Sequence, residues 1–421
     1  MSAFGAVAYA LRALRGSFAV SEPLLPEVRR DFHFDAAASM IFGIFNGSVL
    51  SYVYVVGRTI GVSPLGISVL IAMPAVGSIL SLPISLRVQG AQARRFMLGA
   101  WWIGRALVLL TLLFRTPLAY TAIMALYLAS SSIANPFYAG VMQHIYPRSA
   151  RGRLMSLVRI GSGLVTTLTS LIVAWLLSSK LLPYQAVFAL GSVAALISLR
   201  VFMRITPVRP APRPRESLRA TFAILRRDGR FAIYQLAVFI MGFGNVMSAT
   251  LYPLVVVDKL HAGYGPFGVL TVCSALGYLL SFLLWGRVVD RKGPLFTMGV
   301  AGICVVTLPL GLLVAPAVWW LVPILLFAGI AQAGFEIGPY NAVIHYAPAY
   351  HEVPRYMALH AYFSGVRGLI GPFLATAILA GHHYTPVLST ALALTIAGTT
   401  LIWLGARTEA PMAATTAPAG G

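Results

Sequence analysis

Residues 153–163 read RLMSLVRIGSG, and residues 355–365 read RYMALHAYFSG. The two stretches share Arg, Met, Leu, Ser and Gly at the same spacing, with a constant offset of 202 residues. Three further sets of identities, at offsets of 199 to 201 residues, pair His144, Pro147, Gly77, Leu80, Ser81, Arg87, Val88 and Asn46 with His345, Pro348, Gly277, Leu280, Ser281, Arg287, Val288 and Asn245. Because all these matches keep one order along the chain, they indicate two halves that arose by duplication.

The composition around these repeats is that of a membrane protein. Of the 421 residues, 58% are hydrophobic and only 10% are charged, and the mean hydropathy is +0.83. Soluble domains carry about 25% charged residues, so a soluble fold is excluded. Each apolar run is close to the roughly 20 residues that a helix needs to cross the hydrocarbon core. The predicted spans are 37–56, 64–86, 97–114, 117–144, 154–178, 183–203, 232–256, 266–287, 295–314, 317–342, 357–380 and 385–404.

These spans predict an all-α membrane protein of twelve transmembrane helices in two six-helix, pseudo-symmetric bundles. Since six is an even number, both halves enter and leave the membrane on the same side, which is the parallel arrangement of repeats. A basic stretch, PVRPAPRPRES at residues 207–217, separates them. We therefore expect a cytoplasmic lead-in at 1–36, a first bundle at 37–203, a cytoplasmic central loop at 204–231, a second bundle at 232–404 and a cytoplasmic tail at 405–421.

The net charge of +20 is distributed unevenly between the two faces. Most of the 31 Lys and Arg residues lie in the N-terminus, the C-terminus and the loops that share their face, and the opposite face holds only Arg58, Arg115, Lys180 and Lys259. This asymmetry follows the positive-inside rule and predicts a bacterial inner-membrane protein with both termini in the cytoplasm. The basic charge thus sets the topology, and no nucleic acid partner is expected.

The loop after span eight carries a recognisable motif. Residues 286–294 read GRVVDRKGP, which resembles G-x-x-x-D-R-x-G-[RP], the cytoplasmic loop signature of the major facilitator superfamily. The resemblance implies a secondary transporter that works by alternating access, in which this loop holds the cytoplasmic side shut. It makes gate candidates of Gly286, Asp290, Arg291 and Gly293, and of Arg87 in the first-half loop, where Gly90 replaces the acidic residue.

Two other family signatures are incomplete. Span four lacks the R-x-x-Q-G motif that is common in drug:proton antiporters, which argues against a standard drug exporter. Residues 365–372, GVRGLIGP, resemble the G-x-x-x-G-P antiporter signature but lie in span eleven rather than in span five.

Charged groups within the spans are the first candidates for function, because a charge at mid-bilayer costs at least about 2.5 kcal/mol. Glu336 is the only carboxylate within the predicted spans, and it is either a proton-binding site or the ion-pair partner of Arg367 in the next span. Arg367 is in turn a candidate for binding an anionic solute. We expect Arg105 to be structural, since the third span of each half is peripheral in this family, and Arg159 to extend to the cytoplasmic surface.

Polar and proline-containing positions supply the remaining candidates. Asn46 and Asn245 occupy matching places on the first span of each half, and they either face the cavity or bond neighbouring helices. The sequences NPFY at 135–138 and GPYN at 338–341 predict helix interruptions in corresponding spans, a pattern that points to a transport site. They add Asn135, Tyr138, Tyr340 and Asn341 to the candidates. His360 is deep enough to titrate within the membrane or to be a satisfied core residue, and His144 and His345 are expected to be interfacial or gate residues.

Together these features predict a secondary transporter for a small polar or anionic solute, with a proton as the favoured coupling ion. Drug efflux, an uncoupled facilitator or lipid-handling transporter, and a non-transporting receptor or scaffold remain alternatives. Neither a G-K-[ST] phosphate loop nor a convergent catalytic set is present in the sequence, and Cys273 and Cys304 are isolated, so we expect no enzyme activity, cofactor or metal. The expected partners are the solute, a proton and the lipid bilayer, and we expect a monomer.

Overall fold

The computed structural model describes residues 25–88, 91–147, 151–206, 218–348, 352–379 and 383–408. These ranges are almost entirely helical and contain no strand. Twelve of the helices are long and apolar enough to cross a membrane, which confirms the predicted fold class. Helices suit this solvent because every backbone group within the hydrocarbon must find its hydrogen-bond partner inside the protein.

We number these helices span one to span twelve. The helices of the first half are Pro26–Thr59, Pro64–Arg87, Ala91–Leu107 with a 3₁₀ continuation at Val108–Leu112, Pro117–Ile145, Arg151–Ser178 and Tyr184–Phe202. The helices of the second half are Gly229–Lys259, Tyr264–Lys292, Pro294–Val314, Leu321–Tyr346, Val353–Ile378 and Tyr384–Thr408. A short amphipathic helix, Leu218–Arg227, precedes span seven and packs against spans seven and eleven.

Local chemistry fixes several helix ends. Spans two and four begin with proline, which suits the first helical turn because it lacks an N–H that would otherwise be unpaired. The Ser63 side chain caps span two by accepting a hydrogen bond from the Gly66 N–H at 3.1 Å. Gly293, with φ of +83°, separates spans eight and nine, because a residue without Cβ adopts this left-handed conformation without strain.

Span one differs from its prediction. It begins at Pro26 rather than at residue 37, and it includes Asp31 and Asp35, which are only 4% and 1% exposed. The expectation that Glu336 is the only carboxylate within a span is therefore wrong. Hydropathy placed the start of the span too late because charged residues interrupt the apolar run, whereas the folded helix accommodates these carboxylates by hydrogen bonds from Thr206 and Tyr146.

The predicted helix interruptions in spans four and ten are also absent. Both helices continue through the proline-containing stretches, as Pro117–Ile145 and Leu321–Tyr346. Spans one and seven, by contrast, contain π-helical turns, at Asn46–Leu50 and Val255–Lys259. Such turns often occur at functional sites in helices.

Packing reproduces the internal repeat. Span one contacts spans five and six, and span seven makes the equivalent contacts with spans eleven and twelve. Gly77 and Gly277 occupy matching positions and have matching roles. Gly77 of span two lies against the Ala129 carbonyl of span four, and Gly277 of span eight lies against the Leu326 carbonyl of span ten. A Cβ at either position would collide with that carbonyl, so glycine permits the close approach of the two helices.

The two halves meet at one end of the molecule and are parted at the other. We call the face where span one begins and span twelve ends the terminus-bearing face, and the other the opposite face. One buried apolar cluster near the opposite face includes residues of both halves, such as Val56 and Val256. Near the terminus-bearing face each buried cluster belongs to a single half. Span two packs against span eleven and span five against span eight, along the boundary between the halves.

Candidate functional site

A cavity of about 920 Å³ lies between the halves. Its first-half lining includes Asp35, Phe42, Asn46, Tyr54, Trp101, Arg105, Asn135, Tyr138, Arg159, Ser162 and Phe202. Its second-half lining includes Tyr252, Phe267, Thr271, Ser274, Tyr278, Leu325 and Gln332. Spans one, three, four, five and six contribute from the first half, and spans seven, eight and ten from the second.

An aromatic floor closes the cavity toward the opposite face. The Phe267 ring of span eight lies with its centroid 5.5 Å from that of Tyr52 in span one and 5.9 Å from that of Tyr252 in span seven. Tyr52 and Phe267 belong to the apolar cluster that joins the halves, and Tyr252 packs against it. The cavity therefore extends from this floor toward the terminus-bearing face, where the halves are parted.

Glu336 forms a connection across the halves. Its Oε1 makes an ion pair with Nη1 of Arg159 in span five, and its Oε2 accepts a hydrogen bond from the Tyr278 hydroxyl of span eight. The predicted pairing of Glu336 with Arg367 is wrong, and so is the expected extension of Arg159 to the surface. Span five packs against span eight, and span eight against span ten, so tertiary packing brings together three residues that are distant in the sequence.

Arg367 and His360 lie inside the second half and are not among the residues that line the cavity. Arg367 Nη1 donates to the Val238 carbonyl at 2.9 Å, and its guanidinium lies against the bare Cα of Gly242. His360 Nδ1 lies 3.3 Å from Gln235 Oε1. Both side chains therefore bond span eleven to span seven in this structure.

The polar candidates divide into two groups. Asn46, Asn135 and Tyr138 line the cavity together, on spans one and four. Asn245 is exposed and does not line it, and Asn341 donates to the Ile337 carbonyl of its own helix at 2.9 Å. The side chain of Tyr340 lies outside the described part of the structure. The structure thus gathers the first-half candidates, whereas Asn245 and Asn341, the second-half candidates whose side chains are described, lie outside the cavity lining.

Arg105 lines the cavity, although its place on span three predicts a peripheral position. Its Nη1 donates to the Ala195 carbonyl of span six at 2.8 Å. Its Cζ lies 4.4 Å from the ring centroid of Phe42 and 5.1 Å from that of Trp101. The sequence missed this residue because hydropathy gives the depth of a side chain in the membrane but not the direction in which it points.

Asp35 is a second cavity residue that the sequence did not single out. Its Oδ2 accepts a hydrogen bond from the Tyr146 hydroxyl at 2.6 Å, and its Oδ1 is buried without a hydrogen-bond partner among the described residues. Burial, together with the negative charge of Asp35, holds the pKa of Tyr146 well above its usual range, so the hydroxyl remains a donor at physiological pH. The spacing of Asp31 and Asp35, four residues apart on one helical face, is the signal that could have revealed them.

The gate candidates lie at the terminus-bearing face. Gly286, Asp290 and Arg291 belong to the last two turns of span eight, and Gly293 forms the turn that follows. Arg291 and Arg87 are exposed, and within the described ranges neither forms an ion pair. Their role as a gate stays a prediction, because the halves are parted at this face. In the described part of the chain no three His, Cys, Asp or Glu residues lie close enough to hold a metal ion.

The geometry is similar to that of solved membrane transporters. A mutant form of the nucleoside transporter NupG matches with a TM-score of 0.66 at 11% identity, over 89% of this chain and 98% of that chain. NupG itself matches with a TM-score of 0.62 at 13% identity, over 90% of this chain and 98% of that chain. A bacterial homolog of the human lysosomal transporter Spinster, in an inward-facing and occupied conformation, matches with a TM-score of 0.64 at 13% identity, over 92% of this chain and 98% of that chain.

At these identities the likeness concerns the fold. No curated protein matches this sequence. The family model of the Major Facilitator Superfamily, however, matches residues 36–244 and 234–420, one match for each of the two halves. Together the two matches cover nearly the whole chain. They agree with the twelve spans and the duplicated packing. This multi-pass membrane protein belongs to the Major Facilitator Superfamily of transporters.

Proposed function

We propose that this chain is a secondary transporter that moves a small polar or anionic solute by alternating access. The observation that carries the proposal is the cavity itself, which is lined by both halves, closed by the aromatic floor at one end and flanked by parted helices at the other. A transporter of this kind needs a site that each side of the membrane reaches in turn. The fold alone does not imply a substrate, because one fold supports many functions and the residues of the site decide among them.

The terminus-bearing face is the cytoplasmic face in this proposal. The basic residues of the sequence concentrate there, and Arg87, Arg291 and Lys292 all lie exposed on it. Positive loops remain on the cytoplasmic side of bacterial inner membranes. The structure then corresponds to an inward-facing state, in which the cavity is accessible from the cytoplasm.

The solute shares the cavity with polar groups on two sides. Asn46 and Asn135 face it from spans one and four, and Thr271 and Gln332 face it from spans eight and ten. Most of the surrounding wall is apolar and aromatic, which is typical of small-molecule sites in which a few polar groups fix the orientation of the ligand. These features support a small solute with hydrogen-bonding groups.

Proton coupling through Glu336 is the finer part of the proposal. Glu336 holds Arg159 and Tyr278 together across the halves, so protonation would remove the negative charge on which the ion pair depends. A change in that charge is therefore linked to the contact between span five and span ten. A coupling site requires such a linkage. A proton can shift the equilibrium between the two access states only if it binds Glu336 with different affinity in each state.

The test uses the full chain, first in detergent and then in proteoliposomes. A thermal-shift screen of nucleosides, organic anions, organic cations and amino acids identifies a solute that stabilises the native state. We expect a pH gradient to accelerate uptake of that solute by the unmodified protein and not by Glu336→Gln. Glu352→Gln is the matched control, because Glu352 pairs with Arg227 at 3.5 Å on the short helix and lies away from the cavity.

Each outcome discriminates among the alternatives. Gradient-driven uptake that persists in Glu336→Gln would show that coupling through this carboxylate is wrong. Equal flux with and without a gradient would indicate a facilitator or a lipid-handling transporter. Stabilisation by lipophilic cations alone would favour drug efflux, and stabilisation without any flux would favour a receptor or scaffold.

A further inference from the structure

The first-half wall of the cavity holds a buried cation, Arg105, that no carboxylate in the described part of the chain neutralises. Arg105 is only 6% exposed, and in the described ranges it forms no ion pair. Within the described part of the chain, its guanidinium donates one hydrogen bond, to the Ala195 carbonyl at 2.8 Å. A guanidinium has five N–H donors, so most of its donor capacity is unused. A buried charge normally has a counter-charge, because an unpaired one carries a large desolvation cost.

Aromatic rings surround this cation on the cavity side. The Arg105 Cζ lies 4.4 Å from the ring centroid of Phe42 and 5.1 Å from that of Trp101. Trp101 in turn lies 5.7 Å from Tyr138 and 5.7 Å from Phe202, measured between ring centroids. All four rings line the cavity. Cation–π contacts reduce the cost of burying the guanidinium, but they leave its net charge in place.

The other charged groups of the cavity do not neutralise Arg105. Arg159 already pairs with Glu336, which balances that charge within the same contact. Asp35 lies on the same helix as Phe42 but seven residues earlier, about 10 Å away along the helix axis at the usual rise. The part of the cavity next to Trp101 therefore carries a net positive charge beside flat aromatic surfaces.

We propose that Arg105 and its ring neighbours form a binding site for an organic monoanion that carries a carboxylate on or near a planar ring. The carboxylate bonds to the free edge of the Arg105 guanidinium, whose fork matches two carboxylate oxygens. The planar ring of the solute lies against Trp101 and Tyr138, where ring pairs gain energy beyond the area that they bury. The assignment rests on the proposed transport function and names the substrate class for it.

A structural role for Arg105 is the competing explanation, because its bond to Ala195 joins span three to span six. Arg367 provides a matched comparison for that role. It is a partly buried arginine in a span, and it also donates through Nη1 to a backbone carbonyl of another helix, at 2.9 Å. It too forms no ion pair among the described residues. Arg367 does not line the cavity, however. A merely structural arginine should therefore behave like Arg367 in a binding experiment.

The test measures binding of benzoate and indole-3-acetate to the purified full-length protein by calorimetry and by thermal shift. Benzamide and indole-3-acetamide have the same rings without the charge, and acetate has the charge without the ring. We expect both ring carboxylates to bind at least about tenfold more tightly than their amides, as the loss of a hydrogen bond to a charged group implies. They should also bind more tightly than acetate, which lacks the ring that contacts Trp101 and Tyr138. Arg105→Gln should weaken the ring carboxylates to the level of the amides, and Arg367→Gln should leave their affinity unchanged.

Two further variants keep the proposal testable if Arg105→Gln does not fold. Arg105→Lys keeps the charge but loses the two-pronged geometry, so it should bind the ring carboxylates with intermediate affinity. Trp101→Leu should weaken indole-3-acetate while leaving the binding of acetate unchanged. Equal binding of carboxylates and amides, or full affinity in the folded arginine variants, would overturn the site.

Failure of the site and failure of the transport function give different results. Ring-carboxylate binding that depends on Arg105, without flux in proteoliposomes, would support the site and contradict transport. Flux of another solute that is indifferent to Arg105→Gln, together with no ring-carboxylate binding, would support transport and overturn the site.

Discussion

Arg58 Nε donates hydrogen bonds to both carboxylate oxygens of Asp258, at 2.9 and 2.8 Å, and so joins the end of span one to the end of span seven. The two residues are 200 positions apart, close to the offset that relates the two halves. The repeat has therefore placed a cation and an anion at equivalent positions of the opposite face. Arg58 Nη1 also bonds the Val62 carbonyl at 2.8 Å, and the Tyr384 hydroxyl donates to Asp258 at 3.3 Å. This ion pair bridges the halves beyond the closed floor of the cavity.

Asp258→Asn should favour the state in which the opposite face is open. The pair is partly buried, with side chains 16% and 22% exposed, so its loss should shift the equilibrium by about 1 kcal/mol, or about fivefold. The measurement is the rate at which a membrane-impermeant maleimide labels Val256→Cys, in a background with Cys273 and Cys304 replaced by alanine. Val256 is fully buried in the cluster that joins the halves, so labelling reports its opening.

Two controls accompany that measurement. Arg115→Gln removes an exposed charge from the same face and should leave the labelling rate unchanged. The exchanged pair Arg58→Asp with Asp258→Arg should restore slow labelling, because it restores the attraction across the halves. An unchanged rate in Asp258→Asn would contradict the role of the pair.

Tyr146→Phe should destabilise the protein, because it removes the hydrogen bond to Oδ2 of Asp35, a buried carboxylate whose Oδ1 has no partner among the described residues. The expected loss is about 1–3 kcal/mol of unfolding free energy, the usual cost of an unsatisfied buried polar group. Thermal unfolding in detergent measures it. Tyr138→Phe on the preceding helix is the control, since no hydrogen bond of the Tyr138 hydroxyl is found among the described residues.

The same change should cost much less in an Asp35→Asn background. There the carboxylate charge is already absent, so the difference between the two backgrounds isolates the coupling between Asp35 and Tyr146. Equal losses in both backgrounds would mean that the hydrogen bond does not carry the effect.

Gly277→Ala should destabilise span eight against span ten, whereas Gly286→Ala on the same helix should not. A Cβ at Gly277 would collide with the backbone carbonyl of Leu326, while a Cβ at Gly286 meets no atom within 4 Å. Overpacking of this kind costs about 1–3 kcal/mol. Thermal unfolding of the two variants compares them directly, and equal stability would refute the close-approach argument for Gly277.

Arg291→Gln tests the predicted gate. Arg291 is exposed and forms no described ion pair in this state, so the variant should retain its stability within about 0.5 kcal/mol. If the loop holds the terminus-bearing face shut in the other state, Arg291→Gln should destabilise that state. It should therefore counteract Asp258→Asn, which favours the same state. Maleimide labelling of a cavity cysteine, Ser162→Cys, should slow in Asp258→Asn and recover in the double variant. No recovery would remove Arg291 from the gate.

Much of the fold could be predicted from patterns that the chain repeats. Hydropathy located twelve spans, and the offset near 200 residues, as between Gly77 and Gly277, predicted a duplication that the packing reproduces. The boundary of span one was missed because Asp31 and Asp35 interrupt the apolar run, although hydrogen bonds satisfy them in the folded helix. Hydropathy scores each residue alone, and such bonds depend on partners elsewhere in the chain.

The candidate site was harder to predict. The wrong predictions concern which side chains pair with each other and which side chains point into the cavity. Sequence reasoning named Asn46, Asn135 and Tyr138, which do line the cavity. It gave two alternatives for Glu336, a proton-binding site or an ion pair with Arg367 on the next span, whereas Glu336 pairs with Arg159. Most of the charged and polar lining of the cavity belongs to the first half.

The sequence by itself determined the number of spans, the duplication, the basic face and the family, because these follow from composition, spacing and motifs that are local or periodic in the chain. The tertiary structure alone decided that Arg105 faces the cavity while Arg367 does not, and that Arg159 meets Glu336. The physical reason is that the sequence of a single helix is compatible with several rotations about its axis and with several neighbouring helices. Only the simultaneous packing of all twelve helices selects one rotation and one set of partners.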